Sequence, residues 1–217
     1  MASRARLTGA LVGIASLVVL AGGAHAQVFY SFPGAHPVTD SAVALGLVSG
    51  FGDNVVRLGG FGRFNLSSSA DLGLEVMWDN VDAENTSGDT DFWGAGLDGK
   101  YLIVSADGDM PLDIAVQAGG GFESRSDYLN IHVPFGGLAS HDFMMNDGRR
   151  ITPYGGVYFV YDHVKIDYAD GTDASDSDFD VEMRVGASAE IVKRGSLFAA
   201  LHAGNGTMFF LGFNTGF

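Results

Sequence analysis

The chain has 217 residues, 12 basic and 26 acidic side chains, a formal charge of −14 and no cysteine. That length suits one domain, and the charge excludes nucleic acid and anionic membrane surfaces as electrostatic partners, since both carry the same sign. Without cysteine there is no disulfide, no thiolate nucleophile and no thiolate metal site.

Residues 1–26 open with Arg4 and Arg6, continue through an apolar run at 11–20 and close on Ala24-His25-Ala26. This is the order of a secretory signal peptide, with cleavage expected after Ala26. The run is too short for a spanning helix. Its removal leaves 191 residues with a net charge of −16. No later apolar run reaches the roughly 18 residues of a transmembrane helix, so any membrane crossing must use strands. Residues 27–40 contain Pro33 and Pro37, show no alternation, and read as a leader or periplasmic linker before a single barrel domain at 41–217.

From Ser41 onward the apolar period is two. The first strand sets Val43, Leu45 and Leu47 against Ala42, Ala44 and Gly46. The second sets Val56, Leu58, Phe64 and Leu66 against Arg57, Phe61, Arg63 and Asn65. After a serine turn at 67–69, Leu72, Leu74, Val76 and Trp78 oppose Gly73, Glu75, Met77 and Asp79. The fourth strand carries Trp93, Ala95, Leu97, Tyr101 and Ile103 against Asp98 and Lys100. The fifth sets Leu112, Ile114, Val116 and Phe122 against Asp113, Gln117 and Glu123, and the sixth sets Leu129, Ile131, Val133 and Phe135 against Asn130 and His132.

The seventh strand, 151–165, is ambiguous: Tyr154, Tyr158 and Val160 compete with Val157, Phe159 and Tyr161 for the apolar face. In the eighth, Phe179, Val181, Met183, Val185, Ala187, Ala189 and Ile191 alternate with Asp180, Glu182, Arg184, Gly186, Ser188 and Glu190. A basic turn, Lys193-Arg194-Gly195, leads to Leu197, Ala199 and Leu201 against Phe198, Ala200 and His202. Gly204-Asn205-Gly206 reads as a hairpin into the last strand, where Thr207, Phe209, Leu211, Phe213, Thr215 and Phe217 alternate with Met208, Phe210, Gly212, Asn214 and Gly216. That is ten strands, with eight as the alternative count.

Alternation alone fits a soluble sandwich as well as a membrane barrel. Loop placement favours an all-β, antiparallel, up-and-down transmembrane barrel of eight to ten strands: long polar loops are expected at one end and short turns at the other. The acidic stretches 82–90 and 167–178 fall on one side of such a meander, and the turns after the second and eighth strands on the other. The connection at 105–110 is longer than this pattern expects. Trp78, Trp93, Tyr101, Tyr128, Tyr154 and Tyr161 near strand ends read as interfacial girdles.

Residues Thr152-Pro153-Tyr154-Gly155-Gly156 at a strand start, the following acidic segment, Val185-Gly186-Ala187-Ser188-Ala189-Glu190 and the terminal Phe217 resemble the small outer-membrane barrels of the OmpA-like and opacity-protein superfamily. The resemblance covers about residues 112–217. Tyr158 stands where family members often carry a second glycine, and Thr215 where an aromatic is common. It implies a bacterial outer-membrane address and a C-terminal signal, Phe209, Leu211, Phe213 and Phe217, read by the barrel-assembly machinery. It does not imply an activity, because this superfamily hosts adhesins, narrow pores and lipid-modifying enzymes alike.

The candidate functional set is the luminal charge network Arg57, Arg63, Glu75, Asp98, Lys100, Glu182, Arg184 and Glu190, with Asp113 and Glu123 beside it. Charges inside a barrel must pair or be hydrated. A five-residue turn after the second strand would set Arg63 directly opposite Glu75. Asp98 with Lys100, and Glu182 with Arg184, share luminal stripes. The network reads either as a salt-bridged plug or as a charge-selective constriction.

Enzyme signatures are lacking. No histidine precedes a serine by two residues, as in the outer-membrane lipid A deacylases, and the neighbours Ser140-His141-Asp142 point alternately to opposite faces of a strand. His132 and His202 read as isolated inward polar groups. No catalytic residue, metal ligand or cofactor is expected. The acidic loop residues (Asp82, Glu84, Asp89, Asp170, Asp173, Asp176, Asp178, Asp180) lack the EF-hand order and are expected to bind divalent cations weakly, bridging to lipopolysaccharide phosphates. The resulting expectation is a non-enzymatic barrel with a structural or surface-interaction role among outer-membrane lipids. A narrow diffusion pore is the first alternative and a soluble ligand-binding β-protein the second.

Overall fold

A computed structural model describes residues 34–38, 41–52, 54–81, 90–106, 111–168, 170–204 and 206–217. The signal-peptide reading at 1–26, most of the leader, the acidic loop at 82–89 and much of the 105–110 connection lie outside these residues.

The described chain forms β1 (Val43–Gly52), β2 (Val55–Ser67), β3 (Ala70–Val81), β4 (Thr90–Val104), β5 (Asp113–Arg125), β6 (Tyr128–Ser140), the short β7 (Phe143–Met144), β8 (Arg150–Asp167), β9 (Asp173–Val192), β10 (Gly195–Ala203) and β11 (Thr207–Gly216). Each long strand pairs antiparallel with its sequence neighbours. β6 joins β8 directly and β11 joins β1, so ten strands close into a barrel. β7 continues the line of β6 along the foot of β8, pairing Phe143 with Ile151.

The stagger follows from the registers. From Leu47, pairing leads one way through Gly60, Val76, Ala95, Phe122, Ile131 and His163 to Ser177 of β9. The other way leads through Phe213 and Leu197 to Ala189 of the same strand. The twelve-residue gap between Ser177 and Ala189 is the shear of the barrel, and for ten strands it tilts them by roughly 40°. One consequence is a step at β9. Its pairing with β10 stops at Met183 opposite Ala203, so among the described residues its first half pairs with β8 alone.

The burial pattern decides between a soluble and a membrane-type barrel. Leu47 is 70% exposed, Val76 63% and Trp93 67%, whereas Arg63, Arg184 and Lys100 are each 2% exposed or less. A soluble fold hides its leucines and wets its arginines. This one does the reverse, so its outer wall suits lipid.

β8, ambiguous by pattern, turns Val157 and Phe159 outward and buries Tyr154, Tyr158 and Val160. Tyr154 is therefore not a girdle residue. The acidic stretch 167–178 is also largely not a loop: β8 and β9 stay paired to Asp167 opposite Asp173. Nor are long connections confined to one end. Residues 141–149, holding β7 and a turn closed by Met145 and Arg149, lie at the end that carries the termini.

Glycines facing the interior make room for rings. A Cβ at Gly46 would stand 2.1 Å from the Phe61 ring, and one at Gly212 2.1 Å from the Phe198 ring. These two rings, from β2 and β10, meet at 6.0 Å beneath the β1–β11 junction. Gly212→Val is expected to abolish the compact barrel, because its Cβ would also meet the Leu47 carbonyl at 2.6 Å, which is backbone and cannot swing away. Loss of the fast-migrating unboiled band in detergent gels would show it; an unchanged band would refute it.

Candidate functional site

Inward positions of the strands bring the charged residues into one lumen, where few could stay ionised alone. Arg63 anchors the lower half. β2 and β3 turn over two residues, Ser68 and Ser69, with an irregularity between Asn65 and Ser67, so Arg63 pairs with Gly73 and Glu75 pairs with Phe61. The Arg63–Glu75 juxtaposition expected from a five-residue turn is thus replaced. Arg63 Nε donates to Asp71 Oδ1 at 2.8 Å and Nη1 to Asp98 Oδ1 at 3.1 Å, with a shorter bond from Nη2 to Asp98 Oδ2. Gly73 makes this possible, since a Cβ there would fall 2.3 Å from Asp98 Oδ1.

From Asp98 the bonding crosses the lumen. Gln117 Nε2 donates to Asp98 Oδ2 at 2.8 Å, the Tyr158 hydroxyl donates to Gln117 Oε1 at 2.8 Å, and the Arg184 guanidinium lies 4.1 Å from the centre of the Tyr158 ring. Arg184 in turn holds Glu182 through Nε to Oε1 at 2.8 Å and Nη2 to Oε2 at 2.9 Å, with His202 Nδ1 3.3 Å from Oε1. A continuous belt therefore runs from β9 through β8, β5 and β4 to β2 and β3.

A second group sits nearer the loop end. Arg57 donates through Nε to Asp79 Oδ1 at 2.6 Å and through Nη2 to Asp79 Oδ2, with Glu123 Oε1 3.9 Å from Nη2. Glu75 stands within electrostatic reach of both Arg57 and Arg184. His132 meets Asp162 at 2.6 Å.

Lys100 and Asp98 share a stripe but serve different partners. Lys100 Nζ donates to the carbonyl oxygens of Gly34 at 2.8 Å and His36 at 2.9 Å and lies 3.7 Å from Asp71. Residues 34–38, read from sequence as linker, are thus seated inside the barrel end. Ala35 is fully buried and its N–H donates to Ser140 Oγ at 2.8 Å. Val38 N–H donates to Asp71 Oδ2 at 3.2 Å, and His36 Nε2 lies 3.0 Å from Asp113. Beside this segment a cavity of about 440 Å³ opens between Arg150, Glu190, Lys193 and Asn214. Glu190 therefore stands apart from the belt, on the cavity wall.

Sequence reasoning passed over Asp71, Asp79, Gln117 and Tyr158 as network members. Inward parity marked Asp79 and Gln117, but Asp71 was hidden by its place at a strand start and Tyr158 by the two-faced pattern of β8. Ser140, His141 and Asp142 are engaged separately: Ser140 with Ala35, His141 with the Phe143 ring at 4.5 Å, Asp142 with Arg150 and Thr152. Among the described residues no group of three or more His, Asp or Glu is placed to hold a metal. Outside the apolar wall, Arg125 holds the Asp127 carboxyl below the usual carboxylate range, and Arg149 does the same for Asp147.

No protein-family model matches the chain, and no curated protein matches it. Solved structures do. The β domain of the Bordetella autotransporter BrkA is similar with a TM-score of 0.53 at 11% identity, covering 82% of this chain and 99% of that one. KdgM porin aligns with a TM-score of 0.42 at 13% identity (80% and 99% covered), and Neisserial surface protein A with 0.37 at 14% (82% and 98%). At these identities the likeness is one of fold: that of the outer-membrane β-barrels.

Proposed function

We propose that this chain is a non-enzymatic bacterial outer-membrane barrel, exported by residues 1–26, whose sealed interior gives a rigid support for a structural or surface-interaction role. The observation that carries this is the belt from Arg184 to Arg63 together with residues 34–38 at the terminal end. The gap left between Phe61, Arg63, Glu75 and Asp98 is only about 10 Å³, room for about one water. A filled interior serves stiffness rather than passage. The apolar outer wall supports a lipid environment, and the outward Phe209, Leu211, Phe213 and Phe217 support recognition by assembly machinery. With the termini in the periplasm, the acidic β8–β9 hairpin faces outward, where divalent cations bridge it to lipopolysaccharide phosphates.

The test is ion conductance of the purified barrel in planar bilayers. No resolved current steps are expected from the wild type. Steady steps would favour a narrow diffusion pore instead.

A further inference from the structure

Residues 173–182 of β9 pair with β8 on one side and, among the described residues, with nothing on the other. Ten strand residues make about 33 Å of open edge. Such an edge is a template for another chain, and a like edge from a second copy fits it by two-fold antiparallel pairing.

The chemistry along this edge is regular. Asp176 Oδ1 accepts from Ser177 N–H at 2.9 Å, Asp178 Oδ1 from Phe179 N–H at 2.7 Å, and Asp180 Oδ1 from Val181 N–H at 2.7 Å. Alternate residues of a strand aim their backbone groups at opposite neighbours. Ser177, Phe179 and Val181 therefore share one direction, the same as Met183, where β10 first becomes the neighbour. The three N–H groups that an incoming strand would need are occupied by the carboxylates of the preceding residues. Two such edges brought together would also face six aspartates in a narrow strip, with Phe179 73% exposed at its centre.

We propose that Asp176, Asp178 and Asp180 hold the open edge of β9 shut against a second copy of this chain. The device keeps a stepped barrel monomeric without covering the step.

The test compares D176S/D178S/D180S with D167S/D170S/D173S, which removes equal charge from the hairpin tip. Particle mass is measured by light scattering in detergent micelles, on samples first shown to be folded by heat-modifiable migration. The edge variant is expected to double in mass while the wild type and tip variant stay monomeric. Within the edge variant, a cysteine at the central position (D176S/D178C/D180S, in a chain otherwise free of cysteine) is expected to cross-link two copies. A monomeric edge variant, equal dimerisation of the tip variant or a dimeric wild type would overturn the proposal. Should the triple variant not fold, Asp178→Ser alone is expected to speed amide exchange at Phe179 about tenfold, and unchanged exchange there would overturn it equally.

Discussion

Replacing Arg63 by methionine is expected to cost about 3–5 kcal/mol of barrel stability, the usual penalty for removing one partner of a buried ion pair. Methionine retains most of the stem, so lost packing contributes little. The effect arises because the Asp71 and Asp98 carboxylates stay in place with no guanidinium between them. Asp98 keeps one donor, Gln117, and Asp71 keeps Val38 N–H and the more distant Lys100. Urea unfolding in lipid vesicles measures the loss. The double variant Arg63→Met/Asp98→Asn should recover part of it, because one stranded charge is gone, and this non-additivity is the signature of direct coupling. Strictly additive losses would mean that the lumen is wet enough to solvate each charge separately.

Lys100→Met is expected to act on a different part of the molecule. Its ammonium donates to two carbonyls of residues 34–38, and bonds to a charged donor contribute about 1.5–3 kcal/mol each. Without them Ala35 and Val38 keep single bonds to Ser140 and Asp71 and the half-exposed His36 its contact with Asp113, too little to hold a short segment against its chain entropy. The variant should expose residues 34–38 to protease while the strands stay protected. Amide exchange at Ala35 should quicken by about two orders of magnitude. If instead exchange rises equally across β4, the lysine supports the wall and not the segment.

The extent to which the sequence predicted this arrangement varied with the kind of signal. Nine strands showed their faces because leucine and phenylalanine alternate with charge or glycine, as at Leu74-Glu75-Val76. β8 did not, since both its faces are aromatic or β-branched. The inward set is accommodated because the neighbouring strands offer glycines directly opposite: Gly136 of β6 lies under Tyr158 and Gly186 of β9 under Tyr154. Space supplied by another strand leaves no mark in the pattern of the strand that uses it. Arg63 could be assigned inward by parity, but its partners depend on the turn at Ser68-Ser69, and a few residues of turn length move every pairing beyond it. The seating of residues 34–38 had no periodic signal at all. Gly34-Ala35-His36-Pro37-Val38 is held mostly through backbone groups, which every sequence possesses.

The paired rings of Phe61 and Phe198 carry a temporal consequence. Each lies over a glycine of its own hairpin, Gly46 or Gly212, so either half can form in an early, open sheet. The two rings can face each other only once the first and last strands have met. Their contact joins residues 137 positions apart and has to wait for the entropy of the largest loop in the molecule to be overcome. It should therefore be among the last contacts made as the barrel assembles, and among the first to break when it comes apart. A probe at either ring would clock closure itself, independently of strand formation.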